Sequence, residues 1–423
     1  MRILFDSNIM ALAFLENISM HRTGIFRYAD NMTRALNGLD EVELTFYSSL
    51  DKREKLLWEK KVLEIEHLKK TSLFNYSHPI KEKLAHLNQE ILKSTSLYKV
   101  FLKSYRESLR VFMKTSNFFG KDVVKGLENF DIFFSPYHPI PKRVQEFKNI
   151  NCFTAVHDLI PLKFPKLFKI NKKPFFDQIF KRAYSNHYFL ALSESTKADI
   201  CHYYSINPDK IFVVHSAAQE DLFNPILDEN KIKPVLEKYQ INSPYILSLA
   251  TLEPRKNIPF LIDAFKKLLQ ENPGMDLKLV LTGAKAWGSD EIVHRIRPFE
   301  EHILITGFID DKDLASLYSG ALAFVYPSLY EGFGLPPLES MRCNTPVIVS
   351  DRSSLPEVVG DAGLYVDPTN VQDMTNQLKK LVQDPILREK LREKAHIQVA
   401  KFTWEKNAKA AFNAFESSLK KVS

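Results

Sequence analysis

The sequence predicts an α/β protein made of two doubly wound parallel sheets facing each other across a cleft. Three observations lead there. The chain has 423 residues, roughly two to three times a typical domain length. Short apolar runs alternate with helical patterns in two successive series, the signature of buried parallel strands joined by crossover helices. Polar and charged clusters gather at the ends of those runs, where ligands bind in open α/β sheets.

The first series begins with MRILFDSNI (1–9), in which Asp6 and Asn8 interrupt the apolar stretch. It reads as a first strand rather than a signal peptide. HRTGIFRYADNMTRAL (21–36) gives a turn and then a helical pattern, and VELTFYSS (42–49) a second strand. After a Lys-rich stretch of helical pattern at 51–130 come DIFFSPYH, CFTAVHDLIP, HYFLALSES and KIFVVHSAA. The polar stretch 224–244 is the natural linker. The second series runs PYILSLATLEP, LKLVLTGAK, HILITGFID, LAFVYPSLYEGFG, TPVIVSD and GLYVDP. A long helical run follows from Val371 to Ser418, broken near Pro385 and at Phe402-Thr403-Trp404. The expected domains are therefore 1–225, with a basic insert at about 51–130, and 240–400. The terminal helix, 401–423, is expected to pack back on the first domain.

Composition narrows the class. Apolar residues make up 45% and charged ones 26%, a globular balance sufficient for two cores. Three cysteines without CxxC pairing fit free, buried thiols and a reducing, cytoplasmic setting. The formal charge is +7, and residues 51–130 alone hold 17 Lys and Arg against 10 Asp and Glu. The excess is thus local and suggests one polyanionic contact surface. Within it, Lys99, Lys103, Arg106, Arg110 and Lys114 recur on one helical face, and Phe101, Tyr105, Leu109 and Phe112 on the other. Such a helix at 97–114 can lie on an anionic membrane as a peripheral contact; its apolar face can equally pack on the first domain. No nucleic-acid motif accompanies it, and no GxGxxG follows the first strand, which disfavours an NAD enzyme.

Four strand ends carry unusual residues: Gly24 with Arg22 and Arg27; His157-Asp158; Glu253-Pro254-Arg255-Lys256; and Glu331-Gly332-Phe333-Gly334. The last is the richest. Gly332 and Gly334 allow a close backbone approach, and Pro336-Pro337 can open a helix whose free amides suit a pyrophosphate. Glu331 and Glu339 can accept hydrogen bonds from sugar hydroxyls, or Glu339 can simply complement the helix dipole. Adjacent Arg255 and Lys256 can neutralise charge on a leaving diphosphate, or stand solvated. His157 can equally be a satisfied strand cap, and Gly24 a plain turn glycine. His138 follows a strand and could line the acceptor side.

The block SLYEGFGLPPLESM (328–341), with TPVIVSD, SSLPEVVGDAG (353–363) and SLATLEPRKN (248–257), resembles the retaining GT-B glycosyltransferases of group 1, often called family 4. HRTGIFRY, VHDLIP and LSESTK are weaker echoes in the first half. The resemblance implies a GT-B fold of two facing Rossmann-like domains with an interdomain cleft. It also implies that Glu331 contacts the transferred hexose, Glu339 the ribose, and Arg255 and Lys256 the diphosphate. The backbone around Phe333, Gly334 and Leu335 would reach the β-phosphate or sugar. His157 would lie near the transferred sugar, and Gly24 in a loop where a side chain would obstruct donor and acceptor. Many relatives carry a Gly-Arg pair where this chain has Ala250-Thr251, which places more of the phosphate contact on Arg255 and Lys256.

The expected reaction moves a hexose from a nucleotide-sugar co-substrate to a glycan or lipid-linked acceptor in surface polysaccharide synthesis. GDP-mannose is the family-weighted donor, with UDP- or dTDP-sugars as alternatives. No metal or other cofactor is expected: the chain has no Cys/His cluster with zinc spacing, and a DxD motif is not needed. The alternatives are a GT-B sugar-nucleotide epimerase, a phosphorylase, or an inactive partner subunit of a glycosyltransferase complex.

Overall fold

The computed structural model describes residues 1–12, 24–47, 72–74, 126–168, 170–181, 183–249, 253–283 and 294–420. The helix expected at 97–114, Arg22, and the Ala250-Thr251 pair lie outside them. The first lobe is a seven-stranded sheet, built from β1 (Arg2–Asp6), β2 (Glu43–Tyr47), β3 (Ser72–Phe74), β4 (Ile132–Ser135), β5 (Asn151–Val156), β6 (His187–Ala191) and β7 (Ile211–Val213). Its order is β3-β2-β1-β4-β5-β6-β7. The second has six strands, β8 (Tyr245–Leu249), β9 (Lys278–Thr282), β10 (Ile303–Gly307), β11 (Ala323–Tyr326), β12 (Val347–Ser350) and β13 (Gly363–Val366), in the order β10-β9-β8-β11-β12-β13.

Every pairing among these strands is parallel. Parallel sheets are covered on both faces, and β4, β5, β6, β11 and β12 are accordingly buried at each residue. Strand order reverses between β1 and β4 and again between β8 and β11. These are the two positions where loops diverge and leave a crevice.

Two details differ from the sequence reading. The stretch 51–130, read as helical, supplies β3, which caps the otherwise open edge of β2 through pairs such as Phe46 with Leu73. The stretch 224–244, read as a linker, contains the helix Glu229–Lys238. That helix is tied to the second lobe because Lys238 Nζ donates to Asp310 and Asp313 (2.7 and 2.6 Å).

The last helix, Trp404–Lys420, returns to the first lobe. Phe415 meets Phe153 edge-to-face at 4.7 Å, and Asn151 Nδ2 donates to Ser418 Oγ at 3.0 Å. Trp404 lies against Tyr28 of the helix Gly24–Asn37. Among the described residues no helix is long and apolar enough to cross a membrane.

Candidate active site

Because β8 and β11 are neighbours, the loops leaving their carboxyl ends are adjacent. The β8 loop closes in a 3₁₀ turn, Pro254–Lys256, and Asn257, in the left-handed region (φ 57°), starts the next helix. Leu329 N donates to Arg255 O (2.9 Å), and Ser328 Oγ lies 3.2 Å from the same oxygen, so the β11 loop is fastened to that turn.

The fastening brings two adjacent cations, Arg255 and Lys256, against a carboxylate 75 residues beyond Lys256. Glu331 Oε1 accepts from Lys256 Nζ (2.7 Å) and Ser328 Oγ (2.6 Å), while Oε2 pairs with Arg255 Nη1 (2.7 Å). Arg255 also donates to Glu253 Oε1 (2.7 Å) and to Tyr330 O (2.6 Å), and Lys256 to Tyr326 OH. Glu331 is only 8% exposed. Burial raises its pKa, but Lys256 and Arg255 outweigh burial and hold it at about 2. Burial in turn pushes Lys256 down, against the pull of Glu331.

Glu339 lies in the helix Leu335–Arg342, which Gly334 opens at φ 118°. A Cβ on Gly334 would stand 2.8 Å from Leu355, so the left-handed turn and the close packing both select glycine there. Glu339 accepts from Tyr318 OH at 3.1 Å. Burial raises its pKa to about 7, with Arg27 of the first lobe opposing. Tyr318 OH leaves part of this carboxylate's acceptor capacity unused.

The first lobe meets this rim at Gly332. A Cβ on that residue would fall inside the radius of the His157 carbonyl oxygen and 2.7 Å from Asp158 Cβ. Gly332 O accepts from Ser193 Oγ at 2.6 Å. The Phe333 ring packs on Phe402 and His215 (5.7 and 5.9 Å), and Leu335 is half-buried at the helix start.

His157, following β5, sits with Nε2 2.9 Å from Pro136 O. A carbonyl only accepts, so Nε2 carries the proton and Nδ1 is left as an acceptor. Burial lowers the ring's pKa to about 4, so it is neutral near pH 7.

Gly24 begins its helix at the surface, and a Cβ there meets no atom of the described residues within 4 Å. Beyond Gly24, Arg27 Nη2 crosses to Asp311 Oδ1 at 2.6 Å. His138 is held 3.9 Å from Asp6, away from this cluster's hydrogen bonds. The Cys152 and Cys343 thiols are pushed up by burial and are poor nucleophiles.

Tyr326, Tyr318, Ser328 and Asp158 also belong to the site, and the sequence reading gave them no role or only named them. Tyr318 and Tyr326 lie among apolar neighbours and read as core; the pairing of β8 with β11 brings the Tyr326 hydroxyl to Lys256, and the packing of the helices either side of β11 brings that of Tyr318 to Glu339.

Two parallel-sheet lobes meeting at their strand ends, with paired cations on one rim and an acid-bearing helix start beside them, define a GT-B-type sugar-transferring enzyme. The profile of the glycosyl transferases group 1 family matches residues 229–398. The O-antigen chain mannosyltransferase B of Escherichia coli is 32% identical over 289 residues, 67% of this chain and 74% of that protein. The serotype-specific mannosyltransferase WbdA, also from Escherichia coli, is 34% identical over 280 residues, 61% of this chain but 32% of that longer protein. Among solved structures, Anabaena Alr3699/HepE in complex with UDP superposes with a TM-score of 0.65 over 99% of this chain and all of that one, at 15% identity. The chain belongs to the glycosyl transferases group 1 family and is a glycosyltransferase.

Proposed function

We propose that the protein transfers mannose, with retention of anomeric configuration and without a metal, from a nucleotide donor such as GDP-mannose to a glycan or lipid-linked acceptor in surface polysaccharide synthesis. The sugar and the setting rest on the mannosyltransferase relatives. Anabaena Alr3699/HepE, which shares the fold, has been crystallised with UDP, in keeping with a nucleotide donor here. The observation that carries the reading is the buried Arg255–Glu331–Lys256 cluster beside Glu339.

Glu331 pairs with both cations. A bound diphosphate would compete for them, leaving Glu331 to accept from the hexose hydroxyls while Glu339 takes the ribose. Neutral His157 accepts from a sugar hydroxyl through Nδ1. As the anomeric C–O bond to the β-phosphate breaks, Arg255, Lys256 and the amides at Gly334 and Leu335 stabilise the charge that develops. The acceptor oxygen attacks the same face, and its proton passes to the leaving phosphate oxygen. No carboxylate is needed as a nucleophile, so Glu331 has no glycosidase-like role. The closed lobes exclude water that would hydrolyse the donor.

Glu331→Gln keeps the shape of the side chain, so it is the informative variant. Its transfer rate is expected to fall about 10²- to 10³-fold, while thermal stabilisation by nucleoside diphosphate persists. Equal loss of both would contradict a sugar-facing Glu331. Activity in the presence of a chelator should match the untreated enzyme, and a strong loss would reveal a metal requirement.

A further inference from the structure

A cavity of about 250 Å³ opens between the lobes, next to the charged cluster and on the side of the first lobe. Its wall is aromatic: Tyr137 and Phe175 lie 5.2 Å apart at 33°, and Phe168 adds a third ring. Its polar lining includes Asp158 after β5, and Glu253 and Arg255 from the second lobe. Lys172 lines it too, but is solvent-exposed.

We propose that this cavity is the acceptor subsite and that it takes a single neutral pyranose, the end residue of the glycan that is extended; the proposal rests on the transferase reading above. Four properties select that occupant. The volume lies below the roughly 300–1,000 Å³ that holds a drug-sized ligand, so the cavity suits about one ring, with the rest of a glycan outside it. Two aromatic rings tilted 33° to each other offer apolar surface to the C–H face of a sugar ring, and Phe175 is only half-buried, so that surface is open.

Asp158 Oδ1 accepts from Ile160 N at 3.0 Å, and Oδ2 accepts from none of the described residues. That oxygen is free to take a hydroxyl proton donor. The charges also balance among the described lining residues: Asp158 and Glu253 against Arg255 and Lys172. Arg255 is already committed to Glu253 and Glu331. An acceptor carrying phosphate or carboxylate would therefore face two carboxylates with one exposed lysine to offset them. A hydroxyl-bearing, uncharged ring is the chemistry that fits.

Binding rather than turnover separates this proposal from the proposed reaction. Saturation-transfer difference NMR is recorded on the full chain with nucleoside diphosphate present. The probes are the methyl α-glycosides of mannose, glucose and galactose, each against the corresponding 6-phosphate. At least one neutral glycoside is expected to receive saturation on its ring protons, and more strongly than its phosphate.

Phe175→Ala and Tyr137→Ala should weaken that sugar roughly tenfold to a hundredfold, and Phe175→Leu, which keeps apolar bulk without the ring face, should weaken it as well. Thermal stabilisation by nucleoside diphosphate should be the same in all three variants as in the parent. No saturation from any neutral glycoside, stronger binding of the phosphates, or unchanged sugar binding in the variants would overturn the proposal. So would loss of the nucleotide effect in the aromatic variants, since the cavity would then belong to the donor. A parent protein that binds the glycoside but gives no nucleotide stabilisation would instead undo the donor reading alone.

Discussion

At the scale of single residues, the two acids of the second lobe are set in opposite directions by their surroundings. Glu331 is drawn from its ordinary 4.5 to about 2, burial opposing and Lys256 and Arg255 prevailing. Its pairing therefore stabilises the fold fully above about pH 4.5, and that contribution is lost as the pH falls toward 2. Burial raises Glu339 from 4.5 to about 7. Its protonated form favours the fold below about pH 4.5, and that stabilisation is lost as the pH rises through 7. At pH 8 the buried, charged Glu339 therefore costs on the order of 3 kcal/mol. A buried carboxylate kept at the expense of stability is what a ligand-binding role for Glu339 would explain. Glu339→Gln should raise the Tm at pH 8 by about 5 °C, with the gain shrinking toward pH 5, while nucleoside diphosphate binds more weakly. A Tm at pH 8 equal to the parent's would remove the strain assigned to Glu339.

At the scale of elements, glycines at the β11 loop answer to different neighbours. Gly334 is fixed by its own left-handed turn and by Leu355, both within the second lobe. Gly332 is fixed by backbone of the other lobe, at His157. Gly334→Ala should therefore cost stability, about 1–3 kcal/mol for the strained turn. Gly332→Ala should instead prop the lobes apart, cutting kcat about a hundredfold, since misplacement of about 1 Å carries that penalty. Nucleoside diphosphate stabilisation should survive in it. Equal kinetics for Gly332→Ala and the parent would show that the contact is dispensable.

The element scale also marks what the sequence made legible. The two strand series and the rims at Arg255-Lys256 and Glu331 could be read, because period, turn residues and switch-point logic are local signals. The bond between those rims, and Lys256 as the partner of Tyr326, could not, because they depend on β8 pairing with β11 across the 73 residues between Leu249 and Ala323. The Gly332–His157 approach depends on how the two lobes meet, and the Tyr318–Glu339 bond on how two helices of the second lobe pack, neither of which is a local signal. Strand β3 was missed because three residues in a Lys-rich stretch leave no periodicity to detect.

At the scale of the whole molecule, the lobes are joined by specific contacts as well as by chain. His215 pairs with Glu357 at 2.6 Å, Tyr330 OH donates to Asp199, and Lys163 lies 4.1 Å over the Tyr330 ring. The terminal helix crosses from the second lobe and buries Phe415 in the first lobe's core. The cleft is thus bounded by Arg255 and Lys256 on the second lobe and by the aromatic residues of the cavity on the first, with Arg255 reaching both. Its donor side is tested most directly by a crystal structure with nucleoside diphosphate. The diphosphate oxygens are expected within hydrogen-bond distance of Lys256 Nζ and Arg255, with Glu331 released from at least one of them and the ribose hydroxyls on Glu339. A diphosphate bound elsewhere, with the Arg255–Glu331–Lys256 cluster unchanged, would contradict the central claim.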